Sequence, residues 1–164
     1  MTFVVPFDGS PLSEAALVRA VEFGEVLDES ILAISVIPDR DVAYARERNW
    51  LDPGESFDRD AIVGQLHTAV MELAPDADFR HEMVSRYAAA GTIAGRIRRI
   101  ARKMGASMVF IGSENAGRVV TAVSSVGGSI AADMDYNVVI IRKRTPARVE
   151  SVREQSPYRK TDFY

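Results

Sequence analysis

Short apolar runs alternate along this chain with longer stretches in which apolar side chains return every three or four positions. The runs predict strands and the longer stretches amphipathic helices. Phe3 to Phe7 is the first run, and it stops at Asp8-Gly9-Ser10-Pro11, where Ser10 can cap a helix and Pro11 fits its first turn. Leu17, Val21 and Leu27 then share a face, which predicts a helix over 12–27 turned toward a sheet. Ser30 to Ile37 is almost continuously apolar, the mark of a parallel strand covered on both sides, and Pro38 is expected to end it.

Residues 39–55 turn charged and read as an irregular arm, with Asn49-Trp50-Leu51-Asp52-Pro53-Gly54 inside it. Helical periodicity returns over 57–73 through Ile62, Leu66, Ala69 and Leu73. A weakly alternating segment from Phe79 to Arg86 predicts a strand. Ile93, Ile97, Ile100 and Met104 then define a helix stopped at Gly105, with Arg96, Arg98, Arg99, Arg102 and Lys103 forming a solvated face. Ser107 to Ile111 and Asn137 to Ile141 complete the strands, separated by a helix expected from Ser125 to Met134. Strands alternating with helices imply an α/β fold, a doubly wound parallel sheet of five strands.

A length of 164 residues with 47% hydrophobic content supports one core, here assigned to residues 1–142, with a polar basic tail over 143–164. No apolar run is long enough for a membrane span and the N-terminus lacks a secretory pattern, so the expected location is the cytoplasm. The absence of cysteine excludes disulfides, thiolate metal sites and cysteine nucleophiles. The net charge of −3 conceals an asymmetry: residues 1–141 carry 13 basic and 20 acidic side chains, residues 142–164 carry 7 and 3. An acidic body repels phosphate backbones and argues against general nucleic-acid binding by the fold, leaving the tail as the only part with the charge for it.

In open parallel sheets, ligands sit outside the C-terminal strand ends, where strand order reverses. Two loops qualify. Pro6-Phe7-Asp8-Gly9-Ser10 places a carboxylate beside a helix start, which can serve a ligand or simply the helix macrodipole. The second loop runs from Gly112 to Ser125. His67 and His81 lack metal-ligand spacing and no histidine accompanies Ser124 and Ser125, so no metal site and no catalytic residue is assigned. Trp50 reads as a local cap over the core or as an anchor for a partner.

The segments FVVPFDGSPLSEAAL, GTIAGRIRRIARKMGASMVFIGS and SSVGGSIAADMDYNVVII occur in the order in which similar segments occur in universal stress proteins. Over about residues 2–142 the chain resembles that family. The resemblance implies a Rossmann-like, adenine-nucleotide alpha-hydrolase-like fold with strand order 3-2-1-4-5, and a homodimer paired through the last strand, Val138 to Ile141. A long apolar edge needs cover, which agrees.

ATP-binding relatives carry a GxxGx9G motif followed by Ser or Thr, whose backbone N–H groups cradle phosphate. Gly112 matches the first glycine, but Asn115 stands at the second, with Gly117 two residues on, and Ser124-Ser125-Val126 overlies Gly-Ser-Val in a loop one residue shorter. Glu114 adds a negative charge to this loop and Arg118 a positive one. The resemblance implies Asp8 near a ribose or a metal-bridged phosphate, Pro6 and Phe7 beside it, Val36 offering backbone contacts to adenine, Ile111 and Gly112 as the opposite wall, and Arg118, Ser124, Ser125 and Val126 about the phosphates. The implied ligand is ATP, with magnesium, or another adenine nucleotide, acting as a switch in a stress-linked regulator. Two alternatives stand beside it: a nucleotide-free module acting on an unknown protein partner, and an adenylating or ATP-hydrolysing enzyme, against which the chain shows DGSPLS where such enzymes carry an SGGxDS-type loop.

Overall fold

The computed structural model describes residues 1–89, 91–112 and 135–142. The chain begins with β1 (Thr2–Pro6), α1 (Pro11–Leu27), β2 (Ser30–Asp39), a six-residue α2 (Val42–Glu47) and α3 (Arg59–Leu73). It continues with β3 (Asp78–Ser85), α4 (Thr92–Lys103), β4 (Ala106–Gly112) and β5 (Asn137–Ile141). All strand pairs are parallel and the order is β3-β2-β1-β4-β5. The reversal therefore falls at β1, which lies between β2 and β4. The expected helix from Ser125 to Met134 and the basic tail lie outside the described residues.

Alternation along the strands sorts the core into two layers. Phe3, Val5, Phe7, Ala33 and Phe110 pack with Ala16, Leu17 and Ala20 of α1 and with Ile62, Leu66 and Val70 of α3. Val4, Leu32, Ile34, Val36, Val109 and Ile111 pack on the other face with Ala94, Ile97 and Ile100 of α4. With both faces covered, the inner strands can be apolar at every position, which is why Ser30 to Ile37 carries so little alternation.

Three expectations need correction. β2 does not stop at Pro38 but continues through it to Asp39, pairing Pro38 with Val84 and Asp39 with Ser85. Pairing with β1 has already ended at Ile34, so Pro38 has a strand on one side only and its missing N–H breaks no ladder. Leu27 does not face the sheet but is half exposed. The sheet-facing position near the end of α1 is held by Gly24, where a Cβ would come within 2.9 Å of the Glu29 carbonyl and of Ile31. Met104 lies past the end of α4 and is exposed rather than part of the buried stripe, which consists of Ala94, Ile97, Ile100 and Ala101.

The arginine face of α4 is partly engaged. Arg96 and Arg99 approach Glu82 of β3 at 3.6 and 3.3 Å, and Arg102 meets Asp135 at 2.6 Å. Such pairs contribute little stability each, and the polar segment Asp78–Ser85 is held at the sheet edge by its parallel pairing with Leu32–Asp39 of β2. On the opposite side β5 is the outer strand, with Ile140 exposed.

Candidate functional site

The turn leaving β1 is built by short side chains bonding to nearby backbone. Asp8 Oδ1 accepts the Ser10 N–H at 2.9 Å, and Ser10 Oγ caps α1 by accepting the Ser13 N–H at 3.2 Å. Ser13, itself buried, donates its hydroxyl to the Ser10 carbonyl at 2.9 Å. Gly9 takes φ +78°, a left-handed conformation that the turn between Asp8 and the helix cap requires. The Asp8 carboxylate thus lies at the start of α1, with 39% of its side-chain surface open to solvent.

The arm after β2 closes over this turn. Asp41 caps α2 by accepting the Tyr44 N–H at 3.0 Å. Trp50, buried, donates its indole Nε1–H to the Asp8 carbonyl at 2.7 Å. The Arg48 guanidinium carbon lies 3.3 Å from the centre of the Tyr44 ring, its Nη1 donates to the Tyr44 carbonyl at 3.5 Å, and its Nε stands 3.7 Å from Asp8 Oδ2. Among the described residues that buried Nε–H has no hydrogen-bond acceptor, and Arg48 Nη1 also faces the exposed Glu47 carboxylate at 3.8 Å. Burial pushes the Tyr44 phenol up to about 12; Arg48 pulls it down, while Asp8, Asp41 and Glu47 add to the rise. Tyr44 is therefore a neutral platform under a cation at ordinary pH.

On the β4 side, Gly112 presses directly on the first turn of α1. A Cβ there would lie 2.2 Å from the Leu12 carbonyl carbon and oxygen and 2.5 Å from the Ser13 nitrogen. Only glycine lets the end of β4 approach α1 this closely, so β1, α1 and β4 converge on one spot.

The structure brings Pro6, Phe7, Asp8 and Gly112 together around this spot. Pro6 ends β1 and is half buried. The Phe7 ring is in the α1 and α3 core, while its N–H donates to the Ile34 carbonyl at 2.8 Å and its carbonyl accepts the buried Ser35 hydroxyl at 2.6 Å. Val36 and Ile111 have side chains buried in the α4 layer, so only their backbone is available to a ligand. Glu114, Asn115, Gly117, Arg118, Ser124, Ser125 and Val126 lie outside the described residues. His67 and His81 flank Phe79 at the β3 edge, with ring centroids 5.1 and 6.4 Å away.

Sequence reasoning missed Arg48 and Tyr44. Both lie some forty positions from Asp8, inside an arm with no periodicity, and the one signal was Tyr44 and the single tryptophan, Trp50, within a charged stretch. It also missed an open depression of about 450 Å³ at the ends of β2 and β3, walled by Arg40, Arg86 and Tyr87 among others.

Residues 1–142 match the model of the universal stress protein family. The chain belongs to that family. No curated protein matches the sequence. Among solved structures, a universal stress protein in complex with cAMP is similar at 19% identity and a TM-score of 0.56, covering 87% of this chain and 97% of that one. The Archaeoglobus fulgidus universal stress protein in complex with dAMP is similar at 17% identity and a TM-score of 0.54, covering 87% and 98%. UspA of Lactobacillus plantarum is similar at 20% identity and a TM-score of 0.56, covering 87% and 97%. At these identities the likeness is one of fold. Among the described residues, no helix is long and apolar enough to cross a membrane and no three His, Cys, Asp or Glu side chains come together as metal ligands.

Proposed function

We propose that this universal stress protein is a regulatory module that binds an adenine nucleotide in the crevice between the C-terminal ends of β1 and β4, and that it pairs with a second copy through β5. The observation that carries this reading is the placement of Asp8 just past β1 and of Gly112 at the end of β4, both against the first turn of α1 and at the strand-order reversal, with the Asp8 carboxylate half open to solvent. Two of the similar solved proteins hold cAMP and dAMP, which supports an adenine nucleotide as the class of ligand. In this reading Asp8 orients the ribose, the backbone of Val36 meets the base, and Arg118, Ser124, Ser125 and Val126 receive the phosphates. A stress role and a cytoplasmic location are part of the same proposal, and the family match supports them.

No chemistry on the nucleotide is part of the proposal, since the histidines are engaged around Phe79 rather than beside Asp8. The test of the site is the double substitution Asp8→Ala with Ser125→Ala. It is expected to weaken adenine-nucleotide affinity by about a hundredfold if each lost polar contact costs about 1.4 kcal/mol. Unchanged affinity in the double variant would remove these residues from the site.

A second reading has its own observation. Asp8 is occupied by Ser10 and Arg48, and Gly112 is required by packing against Leu12, so both residues have uses that need no ligand. That favours a nucleotide-free module working through protein contacts.

A further inference from the structure

Of the seven large apolar side chains exposed among the described residues, Phe23, Val26 and Leu27 lie in the last two turns of α1. Val26 is 80% exposed and Leu27 50%. A fourth, Met1, stands at the same end of the molecule, its ammonium 3.5 Å from Glu29. Single exposed apolar residues are ordinary, but a group on neighbouring turns marks a surface that something covers. Nor does the apolar surface end on the helix. The Phe23 ring packs against Phe110 of β4 with centroids 5.7 Å apart, and Phe110 pairs with Val139 of β5, which with Ile141 is half buried on the α1 side of the sheet. An apolar track therefore runs from the end of β5 to the end of α1.

Charge selects what covers it. Residues 14–29 carry five acidic side chains and one basic, Arg19, whose Nη1 lies 2.8 Å from Glu22. A second copy seated on this patch by the same patch would bring like charges together, whereas a basic segment with apolar side chains complements it. The chain itself contains one. Residues 142–164 carry 7 basic and 3 acidic side chains, and Val149, Val152, Tyr158, Phe163 and Tyr164 are spread between the charges.

The reach is sufficient. Ile141 pairs with Gly112, which lies against Leu12 and Ser13, so the chain leaves β5 beside the first turn of α1. From there to Leu27 is about 25 Å at 1.5 Å of helix per residue, a span that about eight extended residues cover. Residues from Val149 onward can therefore meet the patch.

We propose that the C-terminal end of α1, with Phe23, Val26 and Leu27, is the docking surface for the basic C-terminal tail of this same chain. The tail follows the apolar track from Ile141, its aliphatic and aromatic residues covering the patch and its basic residues meeting the acidic side chains of α1. The inference does not depend on the nucleotide reading, and it leaves the outer edge of β5 open for pairing.

The experiment is limited trypsin digestion of the full chain, read by mass spectrometry at Arg153 and Arg159, beside a Val26→Gln/Leu27→Gln double variant and a synthetic peptide of residues 143–164. Both substitutions remove apolar surface without changing charge or adding a cleavage site. The wild-type tail is expected to be cut about tenfold more slowly than the tail of the double variant, a factor that corresponds to about 1.4 kcal/mol of docking. Wild-type cleavage as fast as that of the free peptide, or equal rates in the wild type and the double variant, would overturn the proposal. Protection that disappears on dilution would assign the patch to a second copy and overturn it as well. Trp50 emission confirms that each variant is folded, and Val26→Gln alone, at the most exposed of the three helix positions, carries the test should the double variant fail to fold.

Discussion

The Trp50 indole N–H and the Asp8 carbonyl, 42 positions apart in sequence, meet at 2.7 Å and fasten the arm after β2 onto the turn after β1. The bond sits on the carbonyl of the residue whose carboxylate faces the crevice. Packing of the arm and orientation of Asp8 are therefore one structural event.

Trp50→Phe keeps most of the buried ring but removes the donor. The expected cost is about 1–2 kcal/mol of folding stability, because the Asp8 carbonyl loses a partner in a partly buried place. Chemical denaturation measures it. Unchanged stability would mean that the arm is held by apolar contacts alone.

Gly112 offers a harsher test of the convergence of β4 and α1. Gly112→Ala places a methyl group 2.2 Å from the Leu12 backbone, and no flexible side chain is there to yield. A loss of about 3 kcal/mol is expected in urea unfolding. A near-neutral substitution would show that the two elements separate readily.

Much of this architecture is visible in the pattern of the chain. Ile97 and Ile100 among arginines define α4 plainly, and the continuous run in β2 announces a strand covered on both faces. Pro38 misled because a proline is tolerated where a strand has a neighbour on one side only, and that depends on where β1 ends rather than on any local signal. Leu27 misled because helical spacing does not reveal that Asp28, at φ 57°, turns the chain away while Gly24 takes the close contact. At the site, Asp8 and Gly112 are readable from the strand-loop-helix order. Arg48 is not, since its place beside Asp8 comes from how the arm after β2 folds back onto the turn after β1.

Glu14 supplies a pH-dependent prediction. Burial, and then the nearby Glu72 carboxylate, raise its pKa above the ordinary glutamate value. A raised carboxyl favours the folded state in its protonated form, so the stability it contributes is complete below the ordinary glutamate range and is lost as pH rises through the raised value. Glu72→Gln removes the like charge. Its melting midpoint is expected to exceed that of the wild type by about 1 °C at neutral pH, with the gain fading on acidification as Glu14 takes up a proton. A gain independent of pH would assign the effect to something other than this pair.

Pairing through β5 predicts a change of assembly. Ile140 is exposed on the outer strand, and Ile140→Asp would place a charge in the proposed seam. Sedimentation velocity is expected to show a dimer for the wild type and a monomer for the variant. A monomeric wild type would contradict the pairing.

The account turns on whether the crevice beside Asp8 takes an adenine nucleotide, and calorimetric titration of nucleotide-stripped protein with ATP, beside AMP, tests that most directly. Saturable heat approaching one nucleotide per chain is the predicted result. No heat and no thermal stabilisation at millimolar ATP would contradict it and leave the protein-contact module in its place.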